Sequence, residues 1–111
     1  MIPSQMLKGT LEGCILKVIR EEETYGYQIL QQLQKNGFTN MSEGTIYPLL
    51  LRLEKNRLIK AEFRNSELGP KRKYFSITAA GEEELKIFME SWLQLEDAVN
   101  RTFLSKGESD E

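Results

Sequence analysis

The fold is decided by residues 42–55, which read Ser-Glu-Gly-Thr-Ile-Tyr-Pro-Leu-Leu-Leu-Arg-Leu-Glu-Lys. Ser42 is a suitable N-cap, because its hydroxyl can accept a hydrogen bond from an N–H of the first turn. The apolar residues of the stretch recur at steps of three and four, which predicts a helix with one buried stripe. That stripe comprises Ile46, Leu49, Leu50 and Leu53. The small and polar residues at the start of the helix stay free to contact another molecule.

The segments on either side predict a helix-turn-helix followed by a hairpin. A second helix, Tyr25 to Asn36, precedes residues 42–55, and the short turn between the two helices has helix-turn-helix spacing. Alternating apolar and polar residues then predict two strands, Leu58 to Asn65 and Lys71 to Thr78. The turn between them, residues 66–70, contains Gly and Pro. Such a hairpin is the wing of a winged helix, and its tip is predicted to carry Lys71, Arg72 and Lys73.

Two further helices complete the predicted fold. The first runs from about Gln5 to Glu22, and the last follows Thr78, a plausible N-cap. The last helix is apolar along one face and has nothing in a compact winged helix to bury that face against, which predicts a partner subunit. The predicted dimer contacts on this helix are Leu85, Phe88, Trp92, Leu95, Val99 and Phe103.

The predicted fold class is therefore α+β but mostly α, a winged helix-turn-helix with a long C-terminal dimerisation helix. Residues 1–78 form the DNA-binding domain, and residues 79–104 form the dimerisation helix, packed on the partner subunit. Residues 105–111 are polar and predict a disordered tail. The three parts make one compact unit, as expected for 111 residues.

Charge is distributed unevenly along the chain, although the net charge is only −2. Residues 40–73 carry eight basic and four acidic side chains, whereas residues 82–111 carry three basic and nine acidic ones. A basic middle and an acidic end predict one surface that faces nucleic acid and one that faces away.

Several other classes of protein are disfavoured by what the sequence lacks. It has no histidine, no glycine-rich phosphate loop and no clustered metal ligands, so we expect no enzyme, no cofactor and no metal site. The single cysteine, Cys14, lies on an apolar helix face and is best explained as a small buried side chain. No apolar run approaches the roughly 20 residues that span a membrane, and no signal peptide is evident. We therefore expect a cytoplasmic protein.

These segments together resemble the PadR family of transcriptional regulators. The resemblance extends from Leu7 to Leu85, nearly the whole chain. It rests on Leu7-Lys-Gly-Thr-Leu11, Tyr25-Gly-Tyr27, Gly44-Thr-Ile-Tyr-Pro-Leu-Leu50, Arg52-Leu-Glu54 with Leu58-Ile59, Gly69-Pro-Lys-Arg-Lys-Tyr74 and Thr78-Ala-Ala-Gly81. The length resembles the short branch of the family, whose single C-terminal helix packs on the first and last helices of the partner subunit. The resemblance thus implies that Leu7 and Leu11 of the first helix also belong to the dimer interface. The resemblance implies a homodimeric repressor that binds an inverted-repeat operator in double-stranded DNA.

Residues from three segments are the candidates for contacting DNA. Base contacts are expected from the start of the third helix, and phosphate contacts from the wing. Tyr47 is expected to bind phosphate, the alternative being a partly buried core aromatic; the basic run of the wing has the alternative of a solvated charged turn. The full candidate set is Ser42, Glu43, Gly44, Thr45, Tyr47, Arg52, Lys71, Arg72, Lys73, Tyr25 and Gln28.

Two questions of function stay open at this point. Glu90-Ser91-Trp92 resembles the small multidrug-responsive members, in which a tryptophan of each subunit stacks on flat aromatic compounds. Trp92, Met89 and Glu96 are therefore candidate effector-binding residues, the alternative being that Trp92 only packs in the dimer core. A rival function for the whole chain is a protein-interaction module whose basic wing binds an acidic partner.

Overall fold

The computed structural model describes residues 1–66 and 68–109, the last five of them by their backbone only. Helices surround a small antiparallel sheet, as the sequence predicted. In chain order the elements are α1 Ser4–Leu7, α2 Leu11–Glu21, β1 Thr24–Tyr25, α3 Gly26–Lys35, α4 Glu43–Lys55, β2 Ile59–Ser66, β3 Gly69–Ile77 and α5 Ala79–Ser109.

The first predicted helix is divided in two, which corrects the prediction of one helix from Gln5 to Glu22. Gly9 has a φ of 87°, in the left-handed region that favours glycine, and it separates α1 from α2. The Thr10 hydroxyl donates a hydrogen bond of 2.8 Å to the carbonyl of Leu7 and closes the turn. The N-terminal arm can therefore leave the direction of α2.

A third strand joins the predicted wing hairpin. Thr24 lies opposite Phe75 and Tyr25 opposite Tyr74, so β1 pairs antiparallel with β3. The strand order is β1-β3-β2. Because Tyr25 is extended and pairs with the wing, α3 begins at Gly26, one residue after the predicted start. The start of α3 is thereby attached to the wing.

The core lies where α2, α3 and α4 meet the sheet and the first turns of α5. It includes Ile46, Leu50 and Leu53 of α4, as predicted, with Leu49 half-buried beside them. Leu11 and Leu85 are only 8% and 6% exposed, so they belong to the core of this chain. Their place in the dimer interface stays a prediction.

Both helices of the helix-turn-helix end in the same hydrogen-bonded motif. Gly37, with φ 119°, ends α3 as predicted. At the end of α4 the left-handed residue is Arg57, with φ 61°, and not Asn56 as predicted. The N–H of Leu58 donates to the carbonyl of Leu53, and that of Arg57 to Glu54. This bonding places the left-handed residue one position after Asn56.

The end of α4, the base of the wing and the start of α5 meet at one junction. The N–H of Thr78 donates to the carbonyl of Leu58, over 3.1 Å. The Thr78 hydroxyl accepts from the N–H of Gly81, confirming the predicted N-cap, and lies within donating distance of the carbonyls of Arg57 and Leu58. A Cβ on Gly81 would overlap the carbonyl oxygen of Leu58. Only glycine fits this close approach.

Helix α5 extends well beyond the core. Its 31 residues span about 46 Å at about 1.5 Å per residue. Every side chain described from Met89 to Leu104 is exposed. The helix continues to Ser109, past the predicted end at Leu104. The predicted disordered tail therefore overlaps the helix, and its last two residues lie outside the described residues.

We predict that Gly81→Ala destabilises the protein by about 1 to 3 kcal/mol, because the added methyl group overlaps a backbone oxygen that cannot move without shifting the wing. Urea unfolding monitored by circular dichroism would measure the change. Gly44→Ala, in α4, is the matched control. The added Cβ would meet no atom closer than 3.7 Å, so the stability of this variant should be unchanged or higher. Equal stability of the two variants would contradict the close approach of Gly81 to the carbonyl of Leu58.

Candidate nucleic-acid interface

The first two turns of α4 form an exposed polar surface. Ser42, Glu43, Gly44 and Thr45 are all exposed, as the sequence predicted for residues that contact another molecule. The Ser42 hydroxyl makes no capping hydrogen bond, which corrects its predicted N-cap bond, although Ser42 does precede the first helical residue. Its Oγ lies 3.4 Å from Oγ1 of Thr45 instead. The two hydroxyls therefore share one edge of the helix start.

Tyr47 projects from α4 towards the start of α3. A Cβ on Gly26 would lie 2.8 Å from Oη and Cε1 of Tyr47, so the ring rests directly on this glycine. The side chain is nevertheless 44% exposed. The position of Tyr47 is thus set by packing, while part of its ring faces solvent. This is intermediate between the two alternatives for Tyr47, a phosphate contact and a partly buried core aromatic.

A pocket of about 230 Å³ separates this part of α4 from β3. One wall is formed by residues of α4 one turn apart, and the other by the basic residues of β3. Tyr25 and Gly26 close one end. Of the predicted residues of the third helix only Tyr47 lines this pocket, where it meets Tyr25 and the basic residues of the wing. The lining is Tyr25, Gly26, Tyr47, Leu50, Leu51, Glu54, Lys71, Arg72, Lys73 and Phe75.

The three consecutive basic residues lie within β3 and not at the tip of the wing. Ser66 pairs with Gly69, and Lys71, Arg72 and Lys73 follow along the returning strand. This corrects their predicted location at the tip. The reason is that β3 begins at Gly69, two residues before the predicted start of that strand at Lys71. Alternation along a strand puts Lys71 and Lys73 on one face and Arg72 on the other.

The three basic side chains have different surroundings. Lys73 forms an ion pair with Glu54 of α4, with 2.8 Å between Nζ and Oε1. Arg72 lies over the ring of Tyr25, 4.4 Å from its centroid. Lys71 is exposed and forms no ion pair with any residue that the structure describes. Glu54 was not among the predicted site residues, although its position seven residues after Tyr47 puts both on one side of α4.

An aromatic and cationic cluster covers the outer face of the sheet. The rings of Tyr25 and Tyr74 meet edge to face, with centroids 5.3 Å apart. Arg64 lies 4.7 Å from the centroid of Tyr74 and pairs with Glu23. The hydrogen bond that Arg64 donates to Glu23 raises the pKa of its guanidinium. Tyr25 is thus held between Arg72 and Tyr74. Arg64 and Tyr74 were not among the predicted site residues, because their cluster with Tyr25 depends on β1, which is too short to be evident from the sequence.

Two other predicted contacts have intramolecular partners. Arg52 Nε donates to Glu12 of α2 over 3.0 Å, and this hydrogen bond raises the pKa of the guanidinium. Arg52 lies on the side of α4 opposite the wing. The Gln28 side chain is exposed, and its Oε1 accepts a hydrogen bond of 2.8 Å from the buried Thr24 hydroxyl. Both side chains remain at the surface, but neither lines the pocket beside β3.

A second, larger depression lies on the other side of the molecule. This groove, of about 1330 Å³, runs between the N-terminal arm, α2, α4 and α5, and includes Leu7 and Phe88. Phe88 packs so closely on Gly13 that a Cβ there would overlap its ring. Beyond the groove α5 exposes a row of apolar side chains. These are Trp92, Leu95, Val99 and Phe103, exposed by 38%, 53%, 44% and 81%.

The three candidate effector residues lie beside this row. Met89, Trp92 and Glu96 are spaced by three and four residues on α5, and Met89 is 45% exposed. No described residue of the same chain encloses Trp92 or Glu96, which are both exposed. A closed effector site would therefore need a second subunit.

No other kind of site is evident among residues 1–66 and 68–109. They contain no group of three or more acidic residues or cysteines placed to hold a metal ion. Burial raises the pKa of the Cys14 thiol, which disfavours the reactive thiolate. In the same ranges, no helix has the length and apolar character needed to cross a membrane.

Comparison with known proteins identifies relatives along nearly the whole chain. Residues 15–87 match the profile of the transcriptional regulator PadR-like family. A PadR-like transcriptional regulator from Bacillus cereus is 54% identical, with a TM-score of 0.81 over 89% of this chain and 96% of its own. A Streptococcus transcriptional regulator is 47% identical, with a TM-score of 0.78 over 88% and 96%.

A more distant structure shows the fold alone. Bacillus subtilis PadR, solved in complex with operator DNA, is 24% identical, with a TM-score of 0.68 over 74% of this chain and 46% of its own. The winged helix predicted from the sequence is confirmed by these structures.

Proposed function

The chain belongs to the PadR-like family of transcriptional regulators, and from this premise we propose that it is a sequence-specific DNA-binding repressor. It binds an inverted-repeat operator as a homodimer, in the cytoplasm, and blocks transcription from that site. The Bacillus subtilis relative solved with operator DNA supports the DNA partner. No catalytic step is part of this function.

The observation that carries the proposal is the pairing of α4 with the basic strand across one pocket. The exposed start of α4 can enter a major groove, since a groove about 12 Å wide admits a helix. The basic residues of β3 then lie beside the flanking phosphates. An exposed polar helix start next to lysine and arginine side chains supplies base contacts and phosphate contacts from a single face.

Each DNA-facing residue has a role that follows from its surroundings. Ser42, Glu43 and Thr45 present hydrogen-bonding groups to base edges, and Gly44 lets the backbone approach. Tyr47, supported by Gly26, directs its hydroxyl towards a phosphate. Lys71 and Arg72 supply charge from the wing, with Tyr25 beneath Arg72. Two of the predicted set, Arg52 and Gln28, contact the flanking backbone from the edges.

We predict that replacing Lys71 and Arg72 together with alanine weakens binding to every DNA sequence. The slope of log affinity against log salt should become shallower by about 1.8, since about 0.9 is lost for each phosphate contact. Fluorescence anisotropy with a labelled duplex at several salt concentrations would measure it. Lys86→Ala with Arg101→Ala removes the same charge from α5 and should leave the slope unchanged. An unaltered slope in the β3 variant would contradict the wing assignment.

The dimer is proposed from the exposed face of α5. Exposed apolar side chains along a helix of this length need a partner, and the residues that the structure describes cover none of those from Trp92 to Phe103. The groove beside Leu7 and Phe88 is continuous with that face and can accept α5 of a second copy. Two-fold symmetry then presents two α4 helices to half-sites about one helical turn apart.

We predict that Leu95→Glu with Val99→Glu converts the dimer to a monomer, because the new carboxylates would be buried without partners. Sedimentation velocity at micromolar concentration would show the change. Gln94→Glu with Arg101→Gln alters the net charge equally on the opposite side of α5 and should remain dimeric. A wild-type protein that sediments as a monomer would refute the proposed dimer.

Release of the operator is proposed to follow binding of a planar aromatic compound at Trp92. In a dimer, Met89, Trp92 and Glu96 of two subunits can face one another across the symmetry axis. A flat, positively charged molecule would stack on the indole rings and pair with Glu96. Its binding would change the angle between the two winged domains and hence their fit to the two half-sites.

We predict that at least one of a panel of planar aromatic cations quenches the fluorescence of Trp92, the single tryptophan, in a saturable manner. Titration of the wild-type dimer measures the quenching, and the monomeric Leu95→Glu, Val99→Glu protein serves as control because it lacks the second wall of the site. Absence of quenching with every compound would leave Trp92 as a packing residue of the dimer.

A further inference from the structure

One acidic side chain lies among the basic residues proposed to bind phosphate. Glu54 lines the pocket between α4 and β3 together with Lys71, Arg72 and Lys73. Its Oε1 lies 2.8 Å from Nζ of Lys73, and the two side chains are 34% and 32% exposed. A carboxylate in this position lies where a DNA phosphate would meet the lysine.

Lys73 is held in place by more than this ion pair. Its ammonium lies 5.6 Å from the ring centroid of Phe75 and 6.0 Å from that of Phe63, its neighbour across the hairpin. Both distances allow attraction between the cation and the ring. Lys71, on the same face of β3, has no such partners among the described residues and stays exposed. The two lysines are therefore unequal as phosphate ligands.

We propose that Glu54 acts as an internal competitor for phosphate: it binds Lys73 and thereby limits the sequence-independent part of DNA binding. Lys73 then contributes to the position of the wing relative to α4, while Lys71 and Arg72 contact the DNA backbone. The inference rests on the proposed DNA-binding function and assigns within it a residue that restrains affinity.

The physical basis is the release of counterions. A lysine whose charge is balanced by a neighbouring carboxylate condenses few anions and releases few cations from DNA, so it adds little to the salt dependence. An ion pair that is one-third exposed contributes little to folding stability. The pair is therefore better explained by its lowering of the positive charge of this surface than by a contribution to folding stability.

The test measures the salt dependence of binding to a labelled duplex of scrambled sequence, which requires no knowledge of the operator. Glu54→Gln should bind more tightly than wild type, with a slope steeper by about 0.9, because Lys73 becomes free to contact phosphate. Adding Lys73→Gln to this variant should restore the wild-type slope. Lys73→Gln alone should leave the slope unchanged, whereas Lys71→Gln should make it shallower by about 0.9.

Glu83→Gln on α5 is the matched control, since it changes the net charge equally at an exposed site away from the pocket. A Glu54→Gln slope equal to that of Glu83→Gln would overturn the proposal. So would a Lys73→Gln slope as shallow as that of Lys71→Gln, which would show that Lys73 already contacts phosphate. Circular dichroism of each variant verifies folding, and Lys73→Gln keeps the test decisive should Glu54→Gln fail to fold.

Failure of the proposed function gives a different result. If neither wild type nor any variant bound duplex DNA, the DNA-binding function would be rejected. Elution of the same variants from heparin, a sulfated polyanion, would still show whether Glu54 masks Lys73. Later elution of Glu54→Gln than of Glu83→Gln, reversed by Lys73→Gln, supports the masking, and equal elution rejects it.

Discussion

The close approach of Gly81 to the carbonyl of Leu58 joins the three functional parts of this molecule. Leu58 follows the left-handed turn at Arg57 that ends α4, and Thr78 ends the wing. Because the Thr78 hydroxyl also accepts from the N–H of Gly81, the first turn of α5 starts at a fixed distance from the end of α4. A rotation of α5 about this junction would therefore be transmitted to both the wing and α4.

The surface proposed to bind DNA is assembled by packing as much as by charge. Tyr47 rests on Gly26, and Tyr25 lies between Arg72 and Tyr74, so aromatic rings fix the direction of the polar groups around them. Short strand β1 makes this possible by joining the start of α3 to the wing. Ion pairs then divide the basic residues into two kinds. Lys73 and Arg52 are balanced by carboxylates from neighbouring helices, whereas Lys71 is left exposed.

Much of the fold could be predicted because helical periodicity and turn residues are local signals. The stripe of α4, the terminator Gly37 and the cap Thr78 all depend on residues a few positions apart. What escaped prediction depends on distant partners. The two-residue β1 is a strand only because β3 lies beside it, and Leu11 and Leu85 are core residues only because α2 and α5 pack together. The predicted site residues were placed around α4 and β3, but the partner of Lys73, Glu54, lies 19 residues away along the chain and needed the structure.

Selection of binding sites from a random pool of duplex DNA tests whether two α4 helices of a dimer read the operator. A homodimer that reads DNA with two α4 helices predicts an enriched inverted repeat whose half-sites are about 10 base pairs apart, centre to centre. The enrichment should disappear for a protein carrying alanine at Thr45 and Tyr47 but persist for Lys86→Ala. No enriched sequence, or the same sequence enriched by the Thr45, Tyr47 variant, would contradict the account, since the exposed start of α4 would then not be reading the DNA.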